Sequence, residues 1–182
     1  EIIPQLAGVG GCNTELKYAV LSFSSGCKWI TSEPMIVEDN NSWKDLSANG
    51  ITDLGMAFEE LTSMLSRKKF LKSPSLSYAP VIFLMTDGYP TDNYKKGLEK
   101  LKNNNWYKYG MKIALGIGDY FDESVLEEFT ENKELVVKAA NSSQLAKLIK
   151  TIAVTSSQIA SKSMTIVSDE ENELDYEDVE GN

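Results

Sequence analysis

The chain reads as an α/β protein, a doubly wound, mostly parallel sheet with helices on both faces. Three observations lead there. Val81–Met85 is an unbroken apolar run between a proline and a turn signal, the pattern of a strand buried on both faces, as in a parallel sheet. Leu54, Phe58, Leu61 and Leu65 recur at helical spacing with Ala57 and Met64 beside them, so one helix face is core. Segments of these two kinds then alternate along most of the 182 residues, which implies parallel strands joined by covering helices.

The elements follow in chain order. Glu1–Ala7 has the pattern of the last turns of a helix, ended by Gly8, Gly10 and Gly11, with Pro4 marking a kink or a start. Glu15–Ser24 is expected as one strand, apolar on both faces. Ser24-Ser25-Gly26 turns it tightly into an antiparallel partner, Cys27–Thr31, which makes the one antiparallel edge hairpin. Residues 33–49 are polar and irregular, with a short edge strand at Met35–Val37 and Trp43 as an anchor. The amphipathic helix runs from Leu54 through about Arg67, and residues 73–79 form a loop into the central strand. Tyr94–Lys102 is a helix, ended by the turn-favouring run Asn103-Asn104-Asn105. Met111–Ile117 is a strand, Asp122–Thr130 a short helix and Leu135–Lys138 a last strand. Ser142 or Ser143 caps a final helix with the stripe Leu145, Leu148, Ile149 and Ile152. The hydrophobic period fades from about Ser161. Residues 1–161 are therefore expected as the folded domain, and residues 162–182 as an acidic tail without fixed structure.

Charge and residue usage exclude several function classes. The net charge is −9, and Ser168–Asn182 holds eight acids and no base, so the body is near neutral. Such a body offers no field for nucleic-acid phosphates. No run approaches the ~20 apolar residues of a membrane span, and the expected location is the cytoplasm. The chain starts at Glu1 without an initiator Met, so a lost upstream segment would take localisation evidence with it. Histidine is absent, which removes Ser-His and Cys-His catalysis and His metal ligands. Cys12 and Cys27 fall near opposite ends of the expected first strand, about 30 Å apart at ~3.3 Å per residue. A disulfide needs Cα atoms within ~7 Å, so free thiols in a reducing compartment are expected.

Two loops hold the candidate chemistry. Asp87, in Thr86-Asp87-Gly88, follows the last residue of the apolar run, where open α/β sheets bind ligands. Asp87-Gly88 equally suits a plain turn. Thr52, in Gly50-Ile51-Thr52-Asp53-Leu54-Gly55, stands at the start of the amphipathic helix. Its hydroxyl could cap that helix, with Asp53 as a first-turn acid complementing the dipole. It could instead join a carboxylate around a hard divalent cation such as Mg²⁺, which takes oxygen ligands at ~2.1 Å.

Three stretches in order, Ala19–Ser24, Asn49–Gly55 and Phe83–Asp92 (Phe-Leu-Met-Thr-Asp-Gly-Tyr-Pro-Thr-Asp), resemble von Willebrand factor A domains. The likeness covers about residues 1–160 and is nearest to the bacterial tellurium-resistance branch. It implies a Rossmann-like fold with a metal-ion-dependent adhesion site built from three loops. The second loop's threonine matches Thr52 and the third loop's aspartate matches Asp87. The implied ion is Mg²⁺, with Mn²⁺ or Ca²⁺ as substitutes, and a partner protein's acidic side chain completes its shell. The branch further implies a scaffold for protein phosphatase and kinase partners in a stress response.

One departure is large. The first loop of such a site, Asp-x-Ser-x-Ser, follows a first central strand, and no such motif precedes Glu15. Without that strand the strands at 15–24 and 81–85 would stand ~10 Å apart with both ladders unpaired. Either a further upstream segment or another stretch is expected to fill the slot, Met164–Val167 being a conceivable but poor filler, and metal affinity of these residues alone is expected to be weak. The competing expectation is a Mg²⁺-dependent phosphohydrolase with Asp87 as nucleophile, although Asp87-Gly88-Tyr89 lacks the second acid of Asp-x-Asp. A dinucleotide site is weaker still, because Gly116-Ile117-Gly118 has no third glycine at the required spacing.

Overall fold

The computed structural model describes residues 16–36, 50–72 and 79–139, with helical positions at 143–144, 147–148 and 151. The expected helix at 1–7, Cys12, the Trp43 anchor, Leu145, Ile149, Ile152 and the tail lie outside the described residues.

Three consecutive parallel strands form the main sheet: β5 (Val81–Thr86), β6 (Met111–Ile117) and β7 (Val136–Ala139), in the order β5-β6-β7. Val81 pairs with Met111 and Thr86 with Gly116, so β5 and β6 end level at their carboxyl ends. The crossovers are α2 (Tyr94–Lys102) with α3 (Asn105–Tyr109), then α4 (Glu123–Thr130). Ile82, Leu84 and Ala114 share one sheet face and pack into a core with Leu54, Phe58, Leu98, Leu101, Val125, Leu126 and Phe129. Within it the Phe58 and Phe129 rings stack at 5.6 Å. The Tyr107 hydroxyl, fully buried, donates to the Phe129 carbonyl, and burial pushes its pKa well up. On the opposite face Ile113 and Leu115 are also buried.

The β5 edge differs from the expectation of a strand buried on both faces. Ile82, Leu84 and Thr86 are buried, whereas Val81 and Phe83 are partly covered and Met85 is 39% exposed. Val81, Phe83 and Met85 share the other face of the strand, and among the described residues β5 pairs only with β6.

A second, antiparallel unit precedes the main sheet. Lys17–Tyr18 (β1) pairs with Met35–Ile36 (β4), and Leu21–Ser24 (β2) pairs with Gly26–Trp29 (β3). The single strand expected at 15–24 is therefore two. The break has a chemical cause: the Val20 amide donates to the buried Thr31 hydroxyl at 3.0 Å instead of to a ladder carbonyl. Among the described residues β2 and β5 are not hydrogen-bonded to each other. The helix α1 (Leu54–Met64) holds the hairpin to the rest: the Trp29 indole donates to Glu60 at 2.8 Å, and the Asp53 amide donates to the Ser24 carbonyl at 3.0 Å.

Two helix ends also depart from expectation. α1 stops at Met64 rather than near Arg67, because the Asn104 side-chain amide takes the Leu65 carbonyl at 3.1 Å and the chain turns back, Phe70 N–H donating to Met64. The Asn103-Asn104-Asn105 run ends α2 as expected but also starts α3. The Asn104 carbonyl oxygen caps that helix by accepting from the Trp106 and Tyr107 amides.

Candidate metal centre

The carboxyl ends of β2 and β5 and the amino end of α1 meet at one edge of the molecule, and the two candidate loops meet there. α1 and α2 start side by side. A β-carbon on Gly97 would collide with the Gly55 backbone, so glycine at both positions lets the helix ends approach. That approach sets the third loop, residues 87–93, against the second, residues 50–54.

Polar groups then lock the loops together. The Asp92 carboxylate accepts from the Gly55 and Met56 amides at 2.9 and 3.0 Å, capping α1 from another part of the chain. Asp53 occupies the α1 cap position without capping it. Its carboxylate accepts from the Gly26 amide at 2.7 Å and from the Thr91 hydroxyl at 3.4 Å, joining the hairpin turn to the third loop. Backbone bonds finish the seam: the Thr52 amide donates to the Thr91 hydroxyl at 3.0 Å, and the Thr91 amide donates to the Thr52 carbonyl at 2.9 Å.

Neither sequence-level role for Thr52 and Asp53 at the helix start survives this geometry. Thr52 is not the cap and Asp53 is not a simple dipole acid; Asp92 performs both functions. Its part was invisible to local reading because its partners lie 37 and 36 positions away. The turn at Asp87-Gly88 is held by Thr86, whose buried hydroxyl accepts from the Gly88 amide at 3.2 Å, and not by the Asp87 carboxylate.

What remains is Thr52 and Asp87. A β-carbon on Gly88 would lie 2.9 Å from the Thr52 hydroxyl oxygen, so that hydroxyl points at the residue following Asp87. Among the described residues neither the Thr52 hydroxyl nor the Asp87 carboxylate makes a hydrogen bond or ion pair. Thr52 is half-buried and Asp87 exposed. A hydroxyl and a carboxylate on apposed loops are both hard oxygen donors, the donor type that Mg²⁺ takes. They fit two positions of such a shell and leave the others to water, a partner or further ligands. Among the described residues no group of three or more acidic or thiol side chains could hold an ion by itself.

Comparisons with family models and with curated proteins find no match. Solved structures do match. Proximal thread matrix protein 1 from the mussel byssus is 22% identical with a TM-score of 0.62, covering 84% of this chain and 40% of that one. Its structure with a zinc-occupied MIDAS motif is 23% identical with a TM-score of 0.58, covering 81% and 38%. A von Willebrand factor type A structure from Catenulispora acidiphila is 14% identical with a TM-score of 0.60, covering 84% and 36%. The chain has the Rossmann-like von Willebrand factor A fold. It spans 36–40% of the length of these three chains. In this von Willebrand A fold the edge carrying Thr52 and Asp87 is the carboxyl edge of the parallel strands, the place where open α/β sheets bind ligands. Among the described residues no helix is long and apolar enough to cross a membrane.

Proposed function

We propose that this chain is a metal-dependent protein-interaction module and not an enzyme. Thr52 and Asp87 hold a divalent cation, Mg²⁺ for preference, and an acidic side chain of another protein takes the open coordination position. The observation that carries this reading is the division of labour at the loop edge. Asp53 and Asp92 are engaged by backbone amides, while the Thr52 hydroxyl points at Gly88, the residue after Asp87, and neither the Thr52 hydroxyl nor the Asp87 carboxylate makes a hydrogen bond or ion pair among the described residues. The metal would supply the charge that a partner carboxylate needs in order to be desolvated at the interface. The zinc-occupied MIDAS motif of a structural neighbour supports the reading by analogy.

The site needs more ligands than these two. On this reading they come from a loop following a further strand between β2 and β5, the position left unpaired among the described residues. The narrower assignment, a cytoplasmic scaffold of tellurium-resistance type with phosphatase and kinase partners, rests on motif resemblance alone. Asp87 as the nucleophile of a phosphohydrolase is the opposing reading, and Asp87-Gly88-Tyr89 lacks the second acid of Asp-x-Asp.

Titration calorimetry with Mg²⁺ and Mn²⁺ tests the proposal. Binding that is lost in both Thr52→Ala and Asp87→Ala supports it. Phosphatase turnover abolished by Asp87→Ala would replace it with the enzyme reading.

A further inference from the structure

The far end of α1, away from the candidate metal edge, carries the opposite charge. There Asn104, in the connection leading towards β6, donates to the Leu65 carbonyl at 3.1 Å. Just beyond lie Arg67, Lys68, Lys69 and Lys72, inside a stretch, residues 61–86, that contains no acid. The described loops at the carboxyl edge hold Asp53, Asp87, Asp92, Asp119 and Asp122 instead.

Cations this close in sequence repel one another, so the chain must hold them together. The backbone of the turn does so. The Met64 carbonyl accepts from the Ser66 and Phe70 amides at 2.9 and 3.2 Å, and the Ser66 carbonyl accepts from the Lys69 and Leu71 amides at 3.1 and 3.0 Å. Leu71 packs against the core, and the Phe70 ring meets Trp29 edge-on at 4.6 Å. The Arg67 guanidinium stands 6.0 Å from the centre of the Trp106 ring. Phe70, Trp29 and Trp106 all stay partly exposed. Lys68, Lys69 and Lys72 are exposed and make no ion pair among the described residues. The turn therefore presents fixed positive charge beside aromatic surface.

The charge of the whole chain narrows the choice of partner. A long polyanion or an anionic lipid surface would also face the net −9. Screening at physiological salt acts over ~8 Å, so a short acidic segment meets the turn and little else. We propose that the Arg67–Lys72 turn is a docking surface for a short acidic segment of a partner protein, with an aromatic residue among its carboxylates. The carboxylates pair with Lys68, Lys69 and Lys72, and the ring lies against Phe70 and Trp106. This surface uses no metal, so it stands or falls independently of Thr52 and Asp87. Each exposed ion pair contributes a factor of only about 1.4 to 5 in affinity, so the docking is weak and salt-sensitive.

The test is a titration of the full chain, in EDTA and 150 mM NaCl, with the end-blocked peptide Glu-Glu-Phe-Glu-Glu, followed through assigned backbone amide and indole NMR signals. The amides of Arg67–Leu71 and the indoles of Trp29 and Trp106 should shift together and saturate. Lys68→Glu/Lys69→Glu should weaken binding by about tenfold or more while signals away from the turn keep their positions. The peptide Glu-Glu-Ser-Glu-Glu should bind more weakly than its Phe counterpart. No saturable shift at the turn, shifts confined to residues 50–54 and 87–92, or equal affinity in the double variant would each overturn the proposal. Equal affinity for the two peptides would overturn it too and leave a site for anions in general. Co-sedimentation with phosphatidylserine vesicles, lost in the double variant and without any peptide binding, would assign the turn to a lipid surface instead.

Discussion

Two sets of oxygen groups occupy the same pair of loops and are used in opposite ways. Asp53, Thr91 and Asp92 form a seam in which each side chain bonds to a distant segment. Thr52 and Asp87, immediately beside them, bond to nothing among the described residues through their side chains. The contrast teaches that an acid at a strand's carboxyl end is not evidence of chemistry until its hydrogen bonds have been traced. Here two of the acids are backbone fasteners. They hold the other oxygen pair in position, which is the pre-organisation that a ligand site requires.

The comparison can be broken from below by attacking the helix contact on which both sets stand. Gly97→Val should destabilise the fold by about 3 kcal/mol in urea unfolding, because the new side chain meets the Gly55 backbone and not a flexible group. Metal response should disappear with it.

The seam itself comes next. Asp92→Ala leaves two α1 amides without their charged acceptor and should cost about 2 kcal/mol by the same assay. Asp53→Ala should cost about 1–2 kcal/mol through loss of its bond to the Gly26 amide. Thr52→Ala and Asp87→Ala, by contrast, should change metal-free stability by no more than about 0.5 kcal/mol. If they instead cost as much as Asp92→Ala, the division between fastening and unengaged side chains is wrong.

The smallest effect concerns Cys27, a free, partly buried thiol next to Gly26, whose amide donates to Asp53. Burial raises its pKa first, and the Glu60 and Asp53 carboxylates raise it further. The thiolate is the reactive form, so iodoacetamide should alkylate it with a midpoint above that of an unfolded cysteine. Glu60→Gln should lower that midpoint more than Asp53→Asn does, following the order of the two charges.

Elements with a strong local signature were legible in the sequence. α2 and β6 fall on the expected residues because amphipathic spacing and apolar runs depend only on near neighbours. β7 is displaced by one residue, and α4 starts one residue late with Asp122 as its cap. The failures involve distant partners. Thr31 splits the first strand from eleven positions away, Asn104 shortens α1 from about forty, and the seam joins residues 27 to 39 apart. Likewise, Thr52 and Asp87 could be named by residue type and motif, but their freedom from structural work became visible only once Asp92 was seen to cap α1.

Folding linkage reads out the proposed binding of a divalent cation by Thr52 and Asp87. Urea unfolding of the wild-type chain, Thr52→Ala and Asp87→Ala is compared in 10 mM MgCl₂ and in EDTA at equal ionic strength. For a weak site, with [Mg²⁺] near ten times Kd, the wild type should gain about 1.4 kcal/mol and neither variant should gain any. An equal gain in all three proteins, or none in the wild type, would contradict it.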